Sequence, residues 1–291
     1  MTGSAHAAFP GSNGLLAFNS NRGDGDFELF TMDGDGSNET PRTDDPAIDR
    51  KPVFSPDGTR LAFQSDRDGD VDIYVMDLTD LHGDHLTQIT DAPGDDFNPT
   101  WSPDGRLIAF NSNRTGDYDV YVAPSNGGDA VRLTNTPGVD SVPVFSPNGR
   151  WIAFESSRGQ SADLFLMHPD GSDQHPVTRS PGADLNPSWA PNGQRLAFTS
   201  DRDGSNDIWT ISSRGGGARN LITDPANDHF DDRNAAWSPD GRQIAFASNR
   251  DGDFDIYSMR ANGKRPVQLT DNPATESIPD WQPLPRGAST R

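Results

Sequence analysis

A short apolar triplet, Leu or Ile followed by Ala and Phe, recurs along this chain and ends at Phe18, Phe63, Phe110, Phe154, Phe198 and Phe246, in steps of 45, 47, 44, 44 and 48 residues. A fixed period in this range is the mark of like supersecondary units packed in series, because one such unit cannot bury its apolar face alone. Upstream of each triplet stands an aromatic followed by a turn sequence: Phe54-Ser55-Pro56-Asp57-Gly58, Trp101 to Gly105, Phe145 to Gly149 and Trp237 to Gly241, with Ala190 in place of serine after Trp189. Phe9 reads as a degraded first copy, and Trp281 opens a copy that does not continue.

Each unit reads as four short strands. The first carries the aromatic, Pro-Asp-Gly turns the chain, and Arg60 to Ser65 exemplifies the second. An Arg-Asp-Gly-Asp stretch turns it again into a third strand such as Asp72 to Met76, and Leu86 to Thr90 makes the fourth. Four antiparallel strands in 44 to 48 residues is the size of one propeller blade. Pro52, Pro99, Pro143, Pro187 and Pro279 lie two residues before the aromatic, which suits the innermost edge strand of a blade. The N-terminal part supplies strands two to four of a blade, and Ser277 to Gln282 supplies a lone first strand. The expected fold is all-β: a six-bladed β-propeller over 9–283, closed by the C-terminal strand completing the N-terminal blade. Residues 1–8 and 284–291 are expected to be tails, the first of them flexible.

Composition narrows the partners. Lys and Arg number 24 against 44 Asp and Glu, a formal charge of −20, which repels nucleic acid and anionic membranes and favours cations and basic surfaces. No run approaches the roughly 18 apolar residues of a membrane span. With no cysteine there are neither disulfides nor thiolate chemistry. A monomer is expected.

The repeated Asp, Pro, aromatic, Ser-Pro-Asp-Gly, apolar-Ala-Phe, Ser-Asn/Asp-Arg-Asp-Gly-Asp and Asp-Ile-Tyr resembles the TolB-type six-bladed propeller repeat from about Phe9 to Pro283. The resemblance implies the fold. Its implication for function is broad, since this fold hosts binding proteins, lyases and peptidase-associated domains. The domain that precedes the propeller in TolB is not expected here, so the Tol–Pal envelope role is not carried over. A prolyl-oligopeptidase reading is set aside for want of a nucleophile-elbow motif. Ala5-His6-Ala7 and the residues after it resemble the small-residue end of a secretory signal, so a secreted, periplasmic or cell-surface location is expected, with a cytoplasmic one as the alternative.

Five residues before each aromatic stands an acid: Asp49, Asp96, Asp140, Asp184, Asp232 and Glu276. On the innermost strands they are expected around the channel mouth, where they either cap their own turns or converge and recruit a cation, with calcium favoured by an all-oxygen ligand set. The loops between strands two and three, such as Asp66 to Asp72, Asp251 to Asp255 and Asp24 to Asp26, have a calcium-loop composition without its spacing. Each keeps an Arg and a later acid, Arg67 with Asp72 for example, which reads as a pair holding the turn.

Function is sought where the symmetry breaks. Between the threonine ending strand four and the next aromatic, five linkers have a step of 11 residues; the sixth, Thr223 to Trp237, has 14. Its insertion makes Asp228, His229, Phe230, Asp231 and Arg233 the expected ligand or partner surface, with His229 either a ligand or base or a plain loop residue. A second long loop, at the opposite face, carries His82 and His85. The expected function is a non-catalytic propeller binding a cation and a small-molecule, glycan or protein ligand at its acidic face. A metal-assisted lyase or hydrolase at the channel mouth and a structural or adhesive surface module are the alternatives.

Overall fold

The computed structural model describes residues 6–23, 25–79, 85–222 and 230–285. They form six sheets, each with four antiparallel strands of the expected unit, set around a central channel as blades I to VI, whose inner strands are Glu276–Leu284, Arg50–Phe54, Asp96–Trp101, Asp140–Phe145, Asp184–Trp189 and Asp232–Trp237. Among the described residues no helix is long and apolar enough to cross a membrane.

Blade II shows how the sequence builds the unit. Its strands, from the channel outward, are Arg50–Phe54, Arg60–Ser65, Asp72–Asp77 and Leu86–Gln88. In the first turn Gly58 N–H donates to Ser55 O at 2.8 Å, while Ser55 Oγ donates to Asp57 at 2.6 Å and accepts from Arg60 N–H at 3.0 Å. Gly58 has φ 71°, and a Cβ there would stand 2.3 Å from Pro283 O of the neighbouring blade, so turn and packing both demand glycine. The Leu-Ala-Phe triplet follows from a sheet covered on both faces. Leu61 and Phe63 pack with Ala17 and Leu29 of blade I, while the small Ala62 shares a core with Trp101 of blade III. Trp101 also donates its indole N–H across the blade boundary to Val53 O at 3.1 Å, as Trp189 does to Val144 O at 3.2 Å.

Ring closure is as expected. Glu276–Leu284 pairs antiparallel with Ser12–Ser20, placing Trp281 opposite Leu16, and is the innermost strand of blade I. Asp280 on this strand accepts Phe54 N–H at 2.8 Å, tying blade I to blade II.

Two features differ from expectation. His6–Ala7 is not part of a loose tail: it pairs parallel with the inner strand of blade V, Asp184–Trp189, as a fifth strand. This segment approaches the inner strands of four blades and so lies in the channel. Phe9 does not begin a blade; it is buried in the core that includes Trp101, Val144 and Trp189. Secondly, the inner strands carry a bulge just before the proline position. The residue three before each aromatic has positive φ in all six blades: Lys51, Asn98, Val142, Asn186, Asn234 and Ile278, at 50° to 61°. Asn tolerates that region; Lys, Val and Ile are forced into it.

Candidate functional site: the central channel

The six acids five residues before the aromatics are buried, and each turns to a partner in its own blade. Each is gripped by the arginine of its own blade: Arg67 on Asp49 at 3.0 Å, Arg114 on Asp96 at 2.7 Å, Arg158 on Asp140 at 2.9 Å, Arg202 on Asp184 at 2.6 Å, Arg250 on Asp232 at 2.9 Å, and Arg22 on Glu276. The guanidinium lies over the two stacked aromatics of the second and third strands, as Arg67 does over Phe63 and Tyr74, and its Nε donates to a serine such as Ser65 at 2.9 Å. Among the described residues no three of these six acids bring oxygens within 4.8 Å of one another. The expected pairing of Arg67 with Asp72 is likewise corrected: Asp72 accepts from Thr90 Oγ1 at 2.7 Å instead, and its counterpart Asp255 accepts from Thr270 Oγ1 at 2.9 Å. The cause is the strand register, which sets Asp96 directly opposite Ser112 and beside the arginine two residues beyond it.

Two other acidic groups do come together on the outer loops of the same face. Asp68, Asp70 and Asp72, and Asp251, Asp253 and Asp255, each place three carboxylate oxygens within 4.8 Å of one another. Burial, with neighbouring carboxylates, pushes Asp72 up to about 6 and Asp255 to about 7.

The channel wall is built from the bulge. Because the strand turns there, the side chains three and four residues before the aromatic line the channel, and the freed N–H reaches a side chain of the preceding blade. Asn98 N–H donates to Gln64, Val142 N–H to Asn111 at 3.2 Å and Asn186 N–H to Glu155 at 2.5 Å. The wall encloses two adjoining cavities. One, of about 550 Å³, lies among blades III to VI and is lined by Asn98, Tyr118, Glu155 and Asn186; the other, of about 380 Å³, lies on the blade I side and is lined by Arg50, Lys51, Phe254 and Ile278. Phe97 and Arg233 line both. The amide oxygens of Asn186 and Asn234, residues 4% exposed, and the Nε of Arg50 and Arg233 have no hydrogen-bond partner. Burial drives Lys51 down to about 7 and Glu155 up to about 7, and the two offset each other electrostatically.

Of the expected ligand surface, Asp228 and His229 lie outside the described residues, as does His82. Arg233 lines the channel, held by Asp231 at 2.6 Å and 5.4 Å above the Phe254 ring. Asp231 also accepts from Asn206 at 2.7 Å, and Phe230 is half-buried beside it. Sequence reasoning missed Arg50, Lys51, Glu155, Asn186 and Asn234. A signal was present: aligned on the aromatic, the columns three and four residues before it change chemistry from blade to blade, as does the column just after the apolar triplet, which holds Glu155.

The family described as the TolB beta propeller domain matches residues 68–137 and 131–229. A search of curated protein sequences finds no match. Among solved structures, TolB from Acinetobacter baumannii superposes with a TM-score of 0.78 at 19% identity over 93% of this chain and 67% of its own. Hydrazine synthase of Kuenenia stuttgartiensis gives 0.76 at 16% over 97% and 48%, and a chain of a nidogen–laminin complex 0.74 at 10% over 94% and 100%. At such identities these structures share the fold, and function does not follow from them. The family match spans more than half of the sequence, and on it, with the six-bladed ring, this chain belongs to the TolB beta-propeller family.

Proposed function

We propose that the protein is a non-catalytic binding propeller whose ligand or protein partner enters the central channel from the face that carries the acidic loops. The observation that supports this most is the channel wall itself. It combines cavities of ligand size with two buried amide oxygens that lack partners, and a buried polar atom left unpaired costs stability unless something else meets it. The N-terminal strand lies at the opposite end of the channel against the inner strands of four blades, so this reading takes the acidic face as the entrance. A secreted or periplasmic location goes with this reading as part of the proposal.

The test is a binding screen of peptides, glycans and small molecules by calorimetry, repeated on Phe97→Ala and Arg233→Ala. A partner found with the parent protein should lose about tenfold or more in affinity in both variants, with unchanged circular dichroism. A partner that binds both variants undiminished places the working surface elsewhere.

As a second element of the reading we propose a cation at the two loop triads, where three carboxylate oxygens converge, in preference to the ring of arginine-bound acids. In each triad burial raises the pKa of one acid, Asp72 or Asp255, a setting in which calcium can replace a proton.

A further inference from the structure

In a chain of net charge −20, no carboxylate among the described residues lines the cavity on the blade I side. Its charged groups are Arg50, Lys51 and Arg233. The two arginines occupy the same register position, four residues before the aromatic, in blades II and VI, which flank blade I. Each guanidinium lies over a phenylalanine at the rim: Arg50 at 4.0 Å from the Phe27 ring centre and Arg233 at 5.4 Å from that of Phe254. Phe97 adds a third ring, and Ile278 and Ala247 extend the apolar wall.

The charges do not cancel within the cavity. Arg233 is offset by Asp231. Lys51 donates to Asn98 and is electrostatically offset by Glu155 across the channel. Arg50 has no carboxylate within ion-pairing distance among the described residues; Asp66 acts on it only from farther away. The Nε of both arginines is buried without an acceptor. The surplus is therefore about one positive charge with unused donors, next to three aromatic rings. Such a site matches a monoanion on an apolar body, where a phosphate dianion would carry more charge than the wall can neutralise.

We propose that the blade I side of the channel binds a small organic monocarboxylate, its carboxylate held by Arg50 and Arg233 and its apolar body set against Phe27, Phe97 and Phe254. This rests on the reading of the channel as a ligand site, and gives that site its chemical class. A volume of about 380 Å³ lies at the small end of the usual range for ligand pockets, so a compact acid fits better than a long chain.

The experiment uses probes matched in shape and differing in charge: 3-phenylpropionate, 3-phenylpropanamide and 3-phenylpropylamine, and the corresponding hexanoate, hexanamide and hexylamine. Binding is read by ligand-observed NMR and calorimetry at pH 7.5. The acids should bind about tenfold tighter than the amides. The amines should be weakest, and added salt should weaken the acids selectively. Arg50→Gln should erase the preference for acid over amide while leaving the melting temperature unchanged. Arg233→Gln should do the same; should loss of its Asp231 pair unfold it, Arg50→Gln and the salt series carry the test. Amides or amines that bind as tightly as the acids overturn the anion assignment and leave the channel as the site. Failure of every probe to bind overturns this inference alone, because the wider screen on Phe97→Ala and Arg233→Ala decides the channel reading independently.

Discussion

Arg158 lies over Phe154 and Phe165, donates its Nε to Ser156 at 2.6 Å and closes on Asp140, whose side chain is 1% exposed. The same five-residue arrangement occurs in all six blades, which explains why the sequence keeps an acid, a serine and an arginine at fixed offsets around the Leu-Ala-Phe triplet. Removing one partner of such a pair strands a charge in a poorly solvated place. Arg158→Gln should cost about 3 kcal/mol, the lower end for a buried pair because the arginine is partly exposed. Asp140→Asn in the same chain should restore more than half, since the stranded charge is then gone. Urea midpoints of the two variants and the parent check this; a double variant no more stable than Arg158→Gln would show that the aromatic stacking, not the ion pair, carries the effect.

At the scale of the element, the loops between second and third strands concentrate acid. Asp72 and Asp255, buried at the start of third strands, have pKa values raised to about 6 and about 7, above the roughly 4 of an unfolded chain. Groups raised in this way take up protons on folding. Their stabilisation is full below about pH 4 and is lost as pH rises through 6 to 7. The melting temperature in chelator should therefore fall between pH 4.5 and pH 7.5, and Asp72→Asn with Asp255→Asn should flatten the slope. Calcium should raise the midpoint at pH 7.5 and do much less at pH 5, where Asp72 and Asp255 are protonated. A midpoint indifferent to calcium at pH 7.5 removes the cation from these loops, and a flat pH profile in the parent would mean the burial of the two acids is relieved in solution.

For the whole molecule, closure decides stability. Glu276–Leu284 covers the inner edge of blade I, and without it Ser12–Ser20 and the Phe54 side of blade II lose their partners. Deleting residues 277–282 should abolish cooperative thermal unfolding or drive aggregation through the opened sheet edges. An unchanged melting curve for the truncated protein would mean that the ring is held by contacts between blades alone.

How much was legible in advance divides along these scales. The period of the Leu-Ala-Phe triplet, the Ser-Pro-Asp-Gly turns and the lone strand at Trp281 determined blade number, strand order and closure, because hairpin geometry and two-sided burial are local demands that six copies state repeatedly. The same repetition showed which acids and arginines matter without showing who pairs with whom. Asp49 meets Arg67, and Asp72 meets Thr90, because cross-strand register sets neighbours that are far apart in sequence. The channel was the least legible part. Its wall depends on a bulge that forces Lys51, Val142 and Ile278 to positive φ, a conformation their own preferences oppose. Only the closed ring, by supplying an acceptor from the preceding blade for the displaced N–H of Val142, makes that backbone favourable and turns those side chains, with Arg50 and Arg233 beside them, toward the axis.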